Sequence, residues 1–186
     1  MKKTLLGLVI GVAITAFSQA AELNQFVPEK SEITFVSKQM GVPEKGRFKK
    51  FDARIVLDPA KPEAGKANID VELSSIEAGS SDADTEVKSK GWLNVAAFPK
   101  ATFVSTSVRP LGNGRYEAKG ALTIKGISRD TTIPFVLRNE AAGAWLEGGF
   151  MLKRLLFKIG EGDWSDTSTV ADEVDVKFKL FGVPKK

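Results

Sequence analysis

The chain has 186 residues, 42% of them hydrophobic, and a formal net charge of +4, which suits one domain with a sizeable core. It contains no Cys and no His, which excludes disulfides, Ser-His catalytic triads and zinc sites built from Cys and His. We therefore expect no cofactor, no metal site and no catalytic residues.

The first twenty residues have the layout of a secretory signal peptide. Lys2-Lys3 is a cationic head, Leu5–Phe17 is apolar, and Ser18 and Ala20 are the small residues required before a cleavage site at Ala21. The alternative is an uncleaved membrane anchor, but an anchor needs about 20 apolar residues and this run is shorter. We expect export to the periplasm, with no membrane-spanning segment left after cleavage.

Cleavage would also change the charge of the protein. Residues 1–20 contain two of the 27 basic residues and none of the 23 acidic ones, so the net charge falls from +4 to about +2. The remaining charges alternate in sign along the chain and form no basic stripe, so we expect no binding to nucleic acid.

Residues 21–186 are predicted to form one domain, and its first half is rich in strand patterns. Strands are predicted over 31–39, 48–57 and 66–73, with a turn at Gly41–Gly46. The clearest pattern is Lys66–Leu73, where apolar and polar residues alternate strictly. Such alternation is typical of a sheet with one face on an apolar interior and the other in water.

One segment departs from the strand pattern. Ser80 is a candidate N-cap, acidic residues follow it, and lysines precede Gly91, which predicts a short helix over Asp82–Lys90. The apolar cluster Trp92–Phe98 is then expected to form a helical turn or a lid.

The rest of the chain returns to strands. These are predicted over 101–108, 116–124, 129–138, 145–156 and 172–181. Pro110 is expected to end the first of them, and Gly112-Asn113-Gly114 predicts a tight hairpin turn before the second.

About eight antiparallel strands of this length predict a barrel, because closure removes exposed sheet edges. A barrel of this size either fills with side chains or holds one small ligand. The alternation cannot separate the two cases, and by itself it favours a packed core.

Five segments form a recognisable series along the chain: Gly46-Arg47-Phe48-Lys49-Lys50-Phe51, Leu93 to Phe103 with its Phe-Pro-Lys-Ala-Thr-Phe, Leu122 to Arg129, Ile159 to Trp164, and Asp172 to Val176. In this order, and over essentially all of residues 21–186, they resemble the YceI-like family.

The resemblance implies a lipocalin-like antiparallel barrel with one short helical insertion, usually exported, with a pocket for a long isoprenoid or other long-chain lipid. It therefore favours the hollow barrel. Together with the apolar residues expected to face the barrel interior, the resemblance predicts a set of lipid-binding residues: Phe35, Phe51, Ile55, Ile69, Val71, Trp92, Phe98, Phe103, Phe135 and Phe178.

The function expected from the sequence is therefore non-catalytic lipid binding, and a homodimer is also compatible with it. Two alternatives stay open: a hydrolase or isomerase acting on a lipid or glycan, and a structural or stress module that binds no ligand. Lys153-Arg154 could meet a phosphate head group, although a solvated strand end is the simpler interpretation.

Overall fold

The computed structural model describes residues 23–184 and shows a strand-rich chain with a single α-helix in that range. The strands are β1 Gln25–Phe26, β2 Glu32–Gln39, β3 Val42–Phe48, β4 Phe51–Val56, β5 Lys66–Glu72, β6 Ile76–Glu77, β7 Lys100–Gly112, β8 Arg115–Ile124, β9 Ile127–Glu140, β10 Gly143–Lys153 and β11 Glu173–Val183. The helix, α1, is Ser81–Lys88, and 3₁₀ turns cover Pro28–Lys30, Pro62–Ala64, Leu73–Ser75, Arg154–Phe157 and Gly162–Ser165. The predicted signal peptide lies outside the described residues.

All strand pairs are antiparallel and belong to one sheet that curls on itself. The order is β4-β5-β7-β8-β9-β10-β11-β2-β3-β6, with β1 added to β11. The first and last strands of this order form no ladder with each other in the described part of the chain. The gap is bridged in part by Leu23, which precedes β1 and exchanges two backbone hydrogen bonds of 3.0 and 3.1 Å with Leu57 after β4. The predicted antiparallel barrel with one helical insertion is confirmed.

The predicted strand count was too low. The prediction lacked the two-residue strands β1 and β6. It also lacked β3, a full strand that occupies most of the turn predicted over Gly41–Gly46. The turn consists only of Met40 and Gly41, both at positive φ, and Gln39 pairs directly with Val42. The segment was misread because it is short of apolar residues and contains Pro43, although backbone pairing to β2 does not depend on side-chain polarity.

The predicted side-chain alternation describes the core. On β8, Tyr116, Ala118, Leu122 and Ile124 are buried and face the interior with Gly120. The turns that follow β7 and β8 are the pairs Asn113-Gly114 and Lys125-Gly126, again at positive φ. These tight turns fix the register, and a shift of one residue would place the apolar set in water.

Four predicted boundaries were wrong. Strand β4 begins at Phe51 rather than at residue 48, because Phe48 ends β3. Pro110 does not end β7 but lies inside it, opposite Tyr116 and next to a register shift that accommodates it. The helix is Ser81–Lys88 rather than 82–90, with the Ser80 hydroxyl accepting from Ala83 N at 3.2 Å. Strand β10 ends at Lys153, because Arg154 begins a 3₁₀ turn.

No helix within residues 23–184 is long and apolar enough to cross a membrane.

An Asp introduced on either face of β9 tests which of its residues face the barrel interior. Ile133→Asp places a carboxylate in the interior, where Ile133 is 8% exposed, and should lower the free energy of unfolding by several kcal/mol. Thr132→Asp, on the exposed face, should cost about 0.5 kcal/mol. Urea unfolding midpoints measure both, and equal shifts would show that this strand's register is wrong.

Candidate functional site

An apolar cavity of about 200 Å³ lies inside the barrel and is here called the inner cavity. Inward side chains of most strands line it, together with Leu93 and Ile159 from the connecting segments. No polar atom is exposed to it. An apolar cavity of this kind holds water poorly and can accept an apolar ligand.

A second cavity of about 670 Å³ adjoins the inner one and is here called the vestibule. It is bounded by the turn end of the β2–β3 hairpin, by one face of α1 and by the loop around Trp164. Five side chains line both cavities and form the boundary between them: Phe48, Leu93, Leu152, Ile159 and Val176.

The structure distributes the predicted lipid-binding residues over these spaces. Those that line the inner cavity are Ile55, Ile69, Val71, Phe103, Phe135 and Phe178, and those that line the vestibule are Phe35 and Trp92. Phe51 lies at a separate cleft beside β3 and β4, with its ring centroid 5.7 Å from that of Phe26. Phe98 lines none of these three spaces and lies against Gly126. Lipid contact by all ten stays a prediction.

Three phenylalanine rings each lie over a glycine on a neighbouring strand, in space that a Cβ there would need. Phe35 covers Gly46, Phe103 covers Gly120 and Phe178 covers Gly148. A Cβ at Gly148 would lie 2.7 Å from the Phe178 ring, and one at Gly120 would lie 2.9 Å from the Phe103 ring. A side chain at either position would therefore force the ring or the backbone to move.

The interior becomes more polar toward the vestibule. Along β2 the inward residues run from Ile33 and Phe35 to Ser37 and Gln39, and on β3 Glu44 lies opposite Ser37. The site therefore offers an apolar inner end and a polar outer end, which is the arrangement that an amphiphilic chain requires.

Arg154 fixes the loop that borders the vestibule. Its side chain is 1% exposed and donates to the backbone oxygens of Ile159, Gly160, Trp164, Val170 and Ala171 at 2.6 to 3.1 Å. Burial lowers the pKa of Arg154, while the charge of Asp172 opposes that shift. Arg154 is therefore neither a solvated strand end nor a free phosphate ligand.

Two further contacts hold the same loop. The Lys125 ammonium, in the turn after β8, donates to Glu161 Oε2 at 2.8 Å and to Lys158 O at 2.6 Å. The hydrogen bond from Lys125 lowers the pKa of Glu161. The Trp92 and Trp164 rings also pack together, with centroids 5.5 Å apart, and the Arg154 guanidinium lies 5.6 Å from the Trp92 ring.

The sequence prediction missed several lining residues. Phe48, Phe150 and Leu152 line the inner cavity, but nothing in the sequence pattern around them marked them as ligand-contacting residues. Ile159 and Trp164 lie in a loop whose shape depends on Arg154, so only the folded structure brings them to the vestibule.

Comparisons with known proteins agree with this architecture. A family model described as a YceI-like domain matches residues 25–181. A UPF0312 protein of Azotobacter vinelandii is 30% identical over 193 aligned positions, which cover 98% of each chain. The structure of BcnA from Burkholderia cenocepacia has 39% sequence identity and a TM-score of 0.82 over 84% of this chain and 99% of BcnA. A polyisoprenoid binding domain from Saccharophagus degradans, implicated in plant cell wall breakdown, shares the fold, with a TM-score of 0.64 and 17% identity over 89% of this chain and 99% of that domain.

The role of Arg154 predicts that replacing it lowers the free energy of unfolding far more than replacing the neighbouring Lys153 does. Arg154→Met leaves five backbone oxygens, three of them in fully buried hydrogen bonds, without this donor and should lower the free energy of unfolding by more than about 3 kcal/mol. Lys153→Met, on an exposed side chain, should change it by less than about 0.5 kcal/mol. Chemical denaturation of both variants measures this, and a small effect at Arg154 would contradict the assigned role.

Proposed function

The chain belongs to the YceI-like family, and from that premise we propose that it is an exported, non-catalytic protein that holds a long isoprenoid or similar amphiphilic chain in its barrel. The observation that carries the proposal is the inner cavity, to which no polar atom is exposed. The relative from Saccharophagus degradans, described as a polyisoprenoid binding domain, supports the choice of ligand class.

The energetics of the cavity favour an occupant. An unfilled apolar cavity costs packing energy, because its lining side chains lack partner atoms on one side. An apolar chain in the inner cavity recovers part of that energy, and each methylene removed from water adds roughly 0.8 kcal/mol. Water cannot do the same, because it finds no hydrogen-bond partner there.

The two adjoining cavities set the orientation of the ligand. Its apolar tail occupies the inner cavity, passes the five shared side chains, and leaves the polar head group in the vestibule beside Ser37, Gln39 and Glu44. The opposite orientation would bury a polar group against an apolar wall without a partner, which costs several kcal/mol.

The membrane is the competitor for such a ligand in a cell. A bilayer solvates an isoprenoid tail about as well as the inner cavity does, so the net affinity depends on the head group and on small packing differences. This balance suits a carrier or buffer that exchanges its ligand, rather than an irreversible trap. It also requires no chemical step.

Ligand binding predicts a stabilisation that a cavity-filling variant removes. Geranylgeraniol at 100 times its Kd should stabilise the natural protein by about 2.7 kcal/mol, because it binds only the folded state. Ala118→Phe places a ring in the inner cavity, and it should raise the unfolding temperature without ligand and abolish the response to geranylgeraniol.

Ala121→Phe is the matched control, because Ala121 lies on the outer face of the same strand. It should leave the response to geranylgeraniol intact. Thermal unfolding with and without the alcohol measures all three proteins. A natural protein that does not respond, with an Ala118→Phe variant that is destabilised by overpacking, would indicate a solid barrel and contradict the proposal.

Export predicts a processed N-terminus. Protein recovered from the periplasm of an exporting host should begin at Ala21, because Ser18 and Ala20 satisfy the small-residue requirement at −3 and −1. Intact mass spectrometry of that fraction measures the cleavage. A full-length mass that retains Met1 would contradict export.

The homodimer also stays a prediction, and light scattering of the processed protein tests it.

A further inference from the structure

We propose that Trp92 donates a hydrogen bond from its indole Nε1 to an oxygen atom of the ligand's head group, so that the vestibule selects ligands that carry an acceptor there. A hydroxyl, ether or carbonyl oxygen has the required lone pair. This inference rests on the proposed function, because it concerns the vestibule of the same site.

The indole N–H of Trp92 is a buried donor without an acceptor. Nε1 is buried, and within residues 23–184 it has no hydrogen-bond partner. In that range it is the only buried side-chain nitrogen or oxygen in this situation. Buried indole N–H groups in proteins usually have a partner, because leaving a donor unpaired away from water costs free energy. Trp92 is therefore an exception that an acceptor on a bound ligand would remove.

The residues around Trp92 do not supply the missing acceptor. The carboxylates of Glu44 and Glu86 line the same vestibule, but neither is bonded to Nε1. The Arg154 guanidinium, 5.6 Å from the Trp92 ring, carries donors only. The Trp164 ring packs against Trp92 with the centroids 5.5 Å apart, but the face of a ring is at most a weak acceptor.

The position of Trp92 makes a ligand the source of the acceptor. Trp92 lines the vestibule, and it lines neither the inner cavity nor the cleft beside β3 and β4. Its backbone N–H donates to Ser89 O at 3.1 Å, and its ring packs between Trp164 and Arg154. The ring is thus held in place at the border of the vestibule while its N–H stays unpaired. A donor fixed before binding needs little further ordering when a ligand arrives.

A cycle of two ligands and two proteins isolates this hydrogen bond. The ligands are geranylgeranyl methyl ether, whose oxygen can only accept, and the hydrocarbon in which a methylene replaces that oxygen. Trp92→Phe keeps an aromatic ring and removes the N–H. Displacement of a fluorescent fatty-chain probe gives each Kd. We expect Trp92→Phe to weaken binding of the ether at least about tenfold and to change binding of the hydrocarbon less than about twofold.

Trp145→Phe is the matched control. Trp145 lines none of the three cavities, and its Nε1 already donates to Glu140 Oε1 at 2.7 Å. This variant should bind both ligands as the natural protein does.

A direct readout on the natural protein does not depend on how well the variant folds. The assigned indole proton of Trp92 should move downfield in the NMR spectrum when the ether binds, because hydrogen bonding deshields the proton. The hydrocarbon, which has no acceptor, should not produce this downfield shift.

The outcomes separate the two proposals. If Trp92→Phe weakens both ligands equally or neither of them, or if the indole proton does not respond to the ether, the role of Nε1 is overturned and the lipid-binding function stands. If the natural protein binds neither ligand, the proposed function is overturned and this inference with it.

Discussion

The open interior depends on one packing constraint, the contact between inward phenylalanine rings and inward glycines. Phe35, Phe103 and Phe178 each lie over a glycine on a neighbouring strand, in space that a Cβ there would need. Phe103 and Phe178 line the inner cavity, and Phe35 lines the vestibule. The same glycines let a strongly curved sheet bring its strands close together. The wall is thus aromatic and apolar without filling the barrel.

The vestibule depends on a different interaction, the buried guanidinium of Arg154. A loop with little regular structure has few ways to satisfy its backbone oxygens, and a single planar side chain with five donors satisfies them together. The loop then places Trp164 against Trp92 at the border of the vestibule. An Arg committed to backbone oxygens is not available to a ligand in the vestibule.

Much of the fold could be predicted from the sequence because a strand has a period of two. The inward sets on β5, β8 and β9 follow directly from that alternation. The alternation also selected six residues that line the inner cavity, including Phe103 and Phe135. It failed at β3, whose residues are mostly polar and exposed and whose strand conformation comes from backbone pairing with β2.

The sequence by itself determined the strand faces, the tight turns, the single helix and the family resemblance. Each of these depends on local periodicity, on turn chemistry or on motif order, which the chain carries without folding. Only the tertiary structure decided that the barrel has an inner cavity, that Phe98 lies away from it, and that Arg154 is buried while Lys153 is exposed. The physical reason is that both a cavity and a buried charge depend on how distant segments pack. The same alternation of apolar residues is compatible with a filled and with an open interior.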